Sequence, residues 1–429
     1  MAVIKPFKAL RYTKKAGEIN TLACPPYDIV PEGQRIALIE NNPNNMIRLE
    51  LPKGENPYQE AKSLLDEWLE ADILTHDEEE GIYIYEEEFK SQVDHGEVKK
   101  LRGFICRVKI ENFSSGIVLP HEETLSKAKE DRLNLMKSTF CNFSQIYSLY
   151  IDEQHTTEQR LDNLVKATKP RYEFDDGLVI HRMWVVNDKL AIQAIADDFA
   201  DRKLYIADGH HRYETSINFK NYLKESGIYC PGADYIMMML VDMSHPGLVV
   251  FPTHRLIRDI ENFDGEKLIA DCAEYFDIET REDVSSMEEK LTELYDQGKK
   301  AFGYYGGNGK WTLLTLKDIS VMDDILPEKS DASRQLDVAV LHSLVLEKLL
   351  GIDKENMANQ VNLTYTRSFD EAIESVDKAE SQCAFIINPT RVEEIGAVAR
   401  AGEKMPQKST YFYPKIITGL VMNDLTIKD

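Results

Sequence analysis

Five consecutive residues, Asp208-Gly209-His210-His211-Arg212, gather in one place the groups that grip a phosphate. A glycine after a strand lets the backbone turn tightly and approach a ligand, and the start of the next helix offers N–H groups at the positive end of its dipole. Two imidazoles and a guanidinium add donors, and Arg212 can hold a phosphate through two N–H groups at once. On this reading Gly209, His210 and Arg212 bind phosphate, while Asp208 and His211 are catalytic. The competing reading is structural: Asp208 caps the helix, the histidines are surface residues, and Arg212 pairs with Glu214 or Glu225. Neighbouring histidine side chains diverge and no H-E-x-x-H spacing accompanies them, so a permanent zinc site is not signalled. Mg²⁺ carried by substrate phosphates, with Asp208 as its metal ligand, fits better, because magnesium keeps several waters and uses few carboxylates.

A second group is Pro120-His121-Glu122-Glu123-Thr124, where a glutamate beside a histidine at a strand end can take a proton from a hydroxyl acceptor. Glu122 is the expected base, with Glu123 next. Both acids are equally at home as first-turn residues favoured by a helix dipole. Near the C-terminus, Lys408-Ser409-Thr410 has the residue types of an anion cradle, although the G-x-x-x-x-G of a Walker A loop is missing. The alternative there is a buried strand at Tyr411-Phe412-Tyr413 with Lys408 in solvent. Tyr27, Asp28, His121, His254 and Arg255 complete the set as expected substrate contacts; for Tyr27-Asp28 a plain structured turn is the alternative.

These residues need elements to hold them. The run Leu204 to Ala207 has the pattern of a short buried strand, and helical character resumes from Arg212 to Leu223, so the five-residue motif falls in a strand-to-helix turn. Residues 1–115 form an N-terminal α/β segment. It has a helix from Tyr58 to Leu74 and a β-hairpin from Ile82–Phe89 and Leu101–Ile110 across a loop containing Asp94-His95-Gly96. Residues 116–260 hold the motif among further strands at 145–151, 178–186 and 235–241. Residues 261–429 alternate helical stretches (266–275, 287–295, 338–350) with strands (301–305, 311–316, 383–387). The expected class is α+β with mixed sheets, and no internal repeat suggests an array.

Composition limits the function classes. The chain has 429 residues, 43% hydrophobic and 29% charged, enough apolar material for a packed core in two or three units. With 51 Lys+Arg against 74 Asp+Glu, the formal charge of -23 opposes attraction to a nucleic-acid backbone, and the densest basic clusters are short. No apolar stretch approaches the roughly 20 residues that cross a bilayer. The expectation is therefore a cytoplasmic protein with a small-molecule substrate and without a nucleic-acid or membrane partner. Six cysteines without a C-x-x-C pair signal neither zinc nor a disulfide framework.

The stretch Tyr205 to Tyr213, with Cys24-Pro25-Pro26-Tyr27-Asp28 and Met405 to Lys415, resembles a bacterial family of about this length catalogued as a domain of unknown function and labelled SpoOJ/ParB-like. The central turn is similar to the phosphate-binding turns of ParB and sulfiredoxin, which implies a central ParB/sulfiredoxin-like domain at 116–260. Free-serine kinases have a similar Asp-Gly-His-His-Arg turn with an upstream His-Glu pair; Asp208 to Arg212 matches the first and His121-Glu122 the second. The resemblance implies Mg²⁺-assisted phosphoryl transfer from ATP, ADP or pyrophosphate to a small hydroxyl metabolite, free L-serine above all. A phosphoester hydrolase and a nucleotide-gated ParB-like binding protein are the alternatives.

Overall fold

The two alternating apolar runs in the first segment pair as an antiparallel ladder, Ile82–Lys90 with Val98–Lys109, placing Tyr83 opposite Ile105 and Glu87 opposite Leu101. In this computed structural model, residues 1–91, 96–122, 126–406 and 408–427 are described. Part of the expected hairpin loop, Asp94 and His95, lies outside the described residues, as do Glu123 and Thr124. The protein is α+β with mixed sheets, and it divides into two compact units. The first comprises Met1–Pro120, Thr124–Val249 and Phe412–Asp429; the second comprises His121–Glu123 and Val250–Tyr411.

The first unit is built on a nine-stranded mixed sheet. In chain order its strands are β1 (Ile4–Lys5), β2 (Ile82–Lys90), β3 (Val98–Lys109), β4 (Val118–Leu119), β5 (Ile146–Tyr150), β6 (Tyr172–Asp175), β7 (Val179–Val186), β8 (Leu204–Asp208) and β9 (Tyr235–Asp242). Spatially they run β4-β8-β5-β9-β3-β2-β7-β6, with β1 paired to β3. Side chains alternate across a strand, so each strand serves two faces. Ile84, Phe104, Ile146, Ile206 and Met238 point to one face and form an apolar core with Leu161 of the helix Thr156–Ala167 and Ile192 and Ile195 of the helix Lys189–Asp198. The opposite face carries Tyr85 and Glu87 of β2, His181 of β7 and Tyr147 of β5.

An irregularity in β8 matters for the site. Ile206 pairs with Ser148, but Asp208 pairs with Tyr147, so one extra residue is accommodated between them. Such a bulge re-aims a side chain. Here it puts Asp208 on the face of Tyr147 rather than that of Ile206. The last stretch of the chain runs along this face: Phe412 meets Tyr147 edge to face at 5.7 Å, Tyr413 meets Phe89 at 5.2 Å, and Gln145 Nε2 donates to the Ile417 carbonyl at 2.8 Å.

The second unit has a six-stranded, wholly antiparallel sheet of β10 (His254–Ile257), β11 (Phe276–Arg281), β12 (Ala301–Tyr305), β13 (Trp311–Leu316), β14 (Leu363–Thr366) and β15 (Cys383–Ile386), in the order β11-β13-β12-β15-β10-β14. Leu291 and Leu294 of the helix Met287–Asp296 cover one face, with Ala372 and Val376. Leu341, Leu344 and Val345 cover the other. The single helix expected over 338–350 is instead a short α-turn, Asp337–Val340, running into a π-helix, Leu341–Glu347. Every residue from Asp337 to Leu346 is buried, so no polar stripe marks the helical period.

Candidate functional site

Asp208 ends β8, Gly209 caps the next helix in the left-handed region (φ +95°), and that helix spans His210–Glu225. Arg212 curls back over the glycine. A Cβ at position 209 would stand 2.9 Å from Arg212 Nε and 3.0 Å from Nη2, so the glycine is required both for its backbone angle and for the space above it. Gly209 brings no side-chain acceptor of its own to the first-turn N–H groups, unlike the aspartate, serine or asparagine usual at a cap.

Asp208 does not cap the helix. Its Oδ2 accepts from Arg212 Nη2 at 2.7 Å and its Oδ1 from Lys415 Nζ at 2.5 Å. Burial alone would raise its pKa; Lys415, then Arg212, overcome that and hold the carboxyl far below the ordinary aspartate range. Arg212 also donates through Nη1 to the Gln145 carbonyl at 2.5 Å. Burial opposes its charge, but Asp208 first, then Tyr27, Asp28 and Glu50, favour it and raise its pKa. The pairing of Arg212 with Glu214 or Glu225 that the competing reading offered is not formed; Arg212 pairs with Asp208, and Glu214 accepts from Lys129 at 2.7 Å.

A second buried layer lies behind Arg212. Arg132, from the helix Ser126–Thr139, stacks on Tyr27 with its Cζ 4.0 Å from the ring centre and donates to the Glu50 carbonyl at 2.6 Å. Ser144 donates to Glu50 Oε1 at 2.7 Å. Glu50, Arg132, Ser144 and Arg212 line a cavity of about 40 Å³ inside the first unit. Burial pushes the Tyr27 hydroxyl up to about 12, against the pull of Arg132 and Arg212. Three cations meet here, Arg132, Arg212 and Lys415, with the carboxylates of Glu50 and Asp208, of Asp131, which accepts from Arg132 at 2.6 Å, and of Asp28, which acts on Arg212.

Tyr27 and Asp28, expected as substrate contacts, therefore belong with Asp208 to Arg212 in the first unit. His210 is buried and contributes to holding Asp208 ionised. The sequence reading missed Glu50, Arg132, Ser144 and Lys415. Lys415 alone had a signal, since it closes the distinctive Met405 to Lys415 stretch.

The remaining candidates gather in the second unit. His121 Nε2 lies 3.0 Å from Thr410 Oγ1, and Glu122 Oε1 accepts from the Lys408 backbone N–H at 3.3 Å. Glu122 also bridges to Met405. Ser409 donates to the Pro406 carbonyl at 2.5 Å, so its hydroxyl is spent inside its own turn. Lys408 is exposed with a left-handed backbone (φ +56°), and its carbonyl accepts from Arg255 Nη2 at 3.2 Å. His254 and Arg255 are buried on β10, and burial, then Arg255, depress the His254 imidazole to about 3.

Both carboxylate oxygens of Asp208, the expected magnesium ligand, accept from cations. Among the described residues no group of three or more His, Cys, Asp or Glu side chains is placed to hold a metal ion. Among them, too, no helix is long and apolar enough to cross a membrane.

Residues 4–339 match one family model along most of the chain. The chain belongs to the DUF1015 family. Its description reads "Protein of unknown function (DUF1015)". This corrects the SpoOJ/ParB-like resemblance: the matching family is DUF1015, and the similar solved structures carry other names. One, a conserved hypothetical protein from Pyrococcus furiosus, is 16% identical with a TM-score of 0.36, covering 73% of this chain and 92% of its own. A free serine kinase in complex with AMP is 14% identical with a TM-score of 0.39, covering 76% of this chain and 91% of its own. SbnI with a C-terminal truncation, from Staphylococcus aureus, is 12% identical with a TM-score of 0.37, covering 76% and 90%. No curated protein matches.

Proposed function

We propose that this protein is a phosphotransferase for a small hydroxyl metabolite, and that the turn at Asp208 to Arg212 binds the phosphates of its donor. The observation that carries this reading is the back-folded Arg212 over Gly209, held by an ionised Asp208 that Lys415 shares. A carboxylate between two cations fixes their positions before a ligand arrives, so less ordering is left to be done on binding. An incoming phosphate can then draw on Arg212, Lys415 and the helix N-terminus together. Phosphoryl transfer asks mainly for such positioning and for compensation of charge on the phosphoryl oxygens.

In the proposed reaction the acceptor hydroxyl oxygen attacks the terminal phosphorus, the bond from that phosphorus to the donor's bridging oxygen breaks, and the hydroxyl proton passes to a base. L-serine is the proposed acceptor and ATP, ADP or pyrophosphate the proposed donor. Glu122 is the residue to which the sequence assigns the base. Its substitution is tested separately from the turn, so that either assignment can fail alone.

The experiment is an assay with Mg²⁺, L-serine and each donor, detecting phosphoserine, on the wild-type protein and on Arg212→Ala, His211→Ala and Glu122→Gln. Phosphoserine from one donor, lost in Arg212→Ala, supports the reading. Loss in Glu122→Gln adds the base. Hydrolysis of phosphoserine without any transfer replaces the kinase by a phosphoester hydrolase, and no phosphate chemistry with any donor removes the enzyme assignment.

A further inference from the structure

The second unit contains a cavity of about 130 Å³ against the π-helix Leu341–Glu347. π-Helical turns are frequent at functional sites, because the widened backbone displaces side chains from the regular helical positions. A cavity of roughly 150 Å³ accommodates benzene, so the space suits a molecule of a few heavy atoms. Leu336, Ala339, Met357 and Met405 supply apolar wall.

Behind the polar wall stands an arginine that is not itself part of the lining. Arg255 is fully buried and, among the described residues, has no carboxylate partner; its guanidinium donates to the carbonyls of Thr253 and Lys408 and, through Nε, to His342 Nε2 at 3.2 Å. Accepting that bond fixes His342 as the neutral tautomer that carries its proton on Nδ1. The Arg255 guanidinium also lies 5.4 Å from the Tyr365 ring centre, and the buried Tyr365 hydroxyl has no hydrogen-bond partner among the described residues. His342, Ser343 and Tyr365 all line the cavity. Lys329, Lys354 and Lys404 line it as well, with Glu347 in the lining and with Glu403 and Asp353 acting on this group from outside it. Glu122 also acts on Tyr365, but its Oε1 already accepts from Lys408. A buried arginine without a counter-charge is costly, and an anion nearby removes that cost.

We propose that this cavity binds a small organic anion, carrying a carboxylate or phosphate for the lysines and the Arg255-backed donors and a short apolar part for the methionine and leucine wall. The site is independent of the phosphoryl-transfer reading, since all its residues lie in the second unit and its occupancy is measured without any reaction.

The test is isothermal titration calorimetry of the full chain with L-malate and 2-phosphoglycolate, with 1,2-propanediol as the neutral control. Ala339→Leu fills the space, and Lys329→Ala with Lys404→Ala removes charge from the rim. Arg212→Ala separates this cavity from the phosphate turn, and thermal melts establish that each variant is folded. In Arg212→Ala, where the phosphate turn is removed, the expected result is one anion per chain, weakened by salt as a charged site requires. Ala339→Leu abolishes it, the double lysine variant weakens it about tenfold, and Arg212→Ala retains it. If Ala339→Leu is unfolded, the double lysine variant decides. Equal binding of the propanediol, no binding of either anion at millimolar concentration, or heat that survives Ala339→Leu and vanishes in Arg212→Ala overturns the proposal.

Discussion

Gly209 and Arg212 are three residues apart, yet the guanidinium occupies the space where a side chain at 209 would be, with Nε 2.9 Å from the position of a Cβ. The glycine thus makes the back-folded arginine possible, and the arginine in turn reaches Asp208 at 2.7 Å. Gly209→Ala attacks both at once. A left-handed backbone costs an L-residue about 1–2 kcal/mol, and the methyl group must also displace Arg212. The expected outcome is a chain that still folds, with a modestly lower melting temperature and donor affinity reduced about tenfold or more, measured by fluorescence titration with a nucleotide analogue. Unchanged affinity would show that Arg212 does not need this pose to bind phosphate.

Lys415→Met tests the other side of the same carboxylate. The folded pKa of Asp208 is depressed, so the ion pair contributes stability above the unfolded aspartate range and loses it as pH falls through the folded value. Removing one partner of a buried pair costs about 3 kcal/mol or more near neutrality. Wild type should therefore exceed Lys415→Met in urea stability at pH 7, with the gap narrowing as the pH is lowered below 4. A gap that is constant with pH would mean that Lys415 stabilises by packing alone.

How much of this was legible in the chain follows from where the partners come from. Asp208 to Arg212 are contiguous, and a strand pattern ending in Asp-Gly is a local signal, so the turn and its helix could be read directly. Lys415, Glu50, Arg132 and Ser144 arrive from four distant stretches, and nothing local distinguishes them from surface charge or hydroxyl residues. The cation on Asp208 Oδ1 is equally out of sight in the sequence, since it comes from a residue 207 positions away. The α-to-π change at Val340 was hidden by a run that is buried on all sides. Strand pairing was legible where alternation was clean, at 82–89 against 101–110, but the bulge before Asp208 leaves no mark in residue type.

Glu87 shows the same limit and yields the last prediction. In the sequence it is the middle of Glu86-Glu87-Glu88 within the expected strand Ile82–Phe89; in the fold it is fully buried on β2, facing His181 across the strand pair. Tyr85 donates to Glu87 Oε1 at 2.9 Å, Tyr85 and His181 Nδ1 are 2.6 Å apart, and His181 Nε2 is 3.1 Å from Asp176 Oδ2. Glu87 Oε2 has no hydrogen-bond partner among the described residues. Burial raises the Glu87 carboxyl to about 8, with Tyr85 opposing and Asp176 adding to the shift. Between the unfolded glutamate value near 4.5 and about 8, the unfolded chain has released this proton while the folded chain keeps it. Stability therefore falls with rising pH across that window, by up to about 1.4 kcal/mol per pH unit, and is flat with respect to this group above it. Glu87→Gln keeps the shape of the neutral acid and cannot ionise. It should match wild type near pH 4.5, become progressively the more stable protein toward pH 8, and hold a constant advantage beyond. Urea unfolding from pH 4.5 to 9 measures this directly. A wild type that equals or exceeds Glu87→Gln at pH 8 would mean that the carboxylate is ionised and paired in the folded protein.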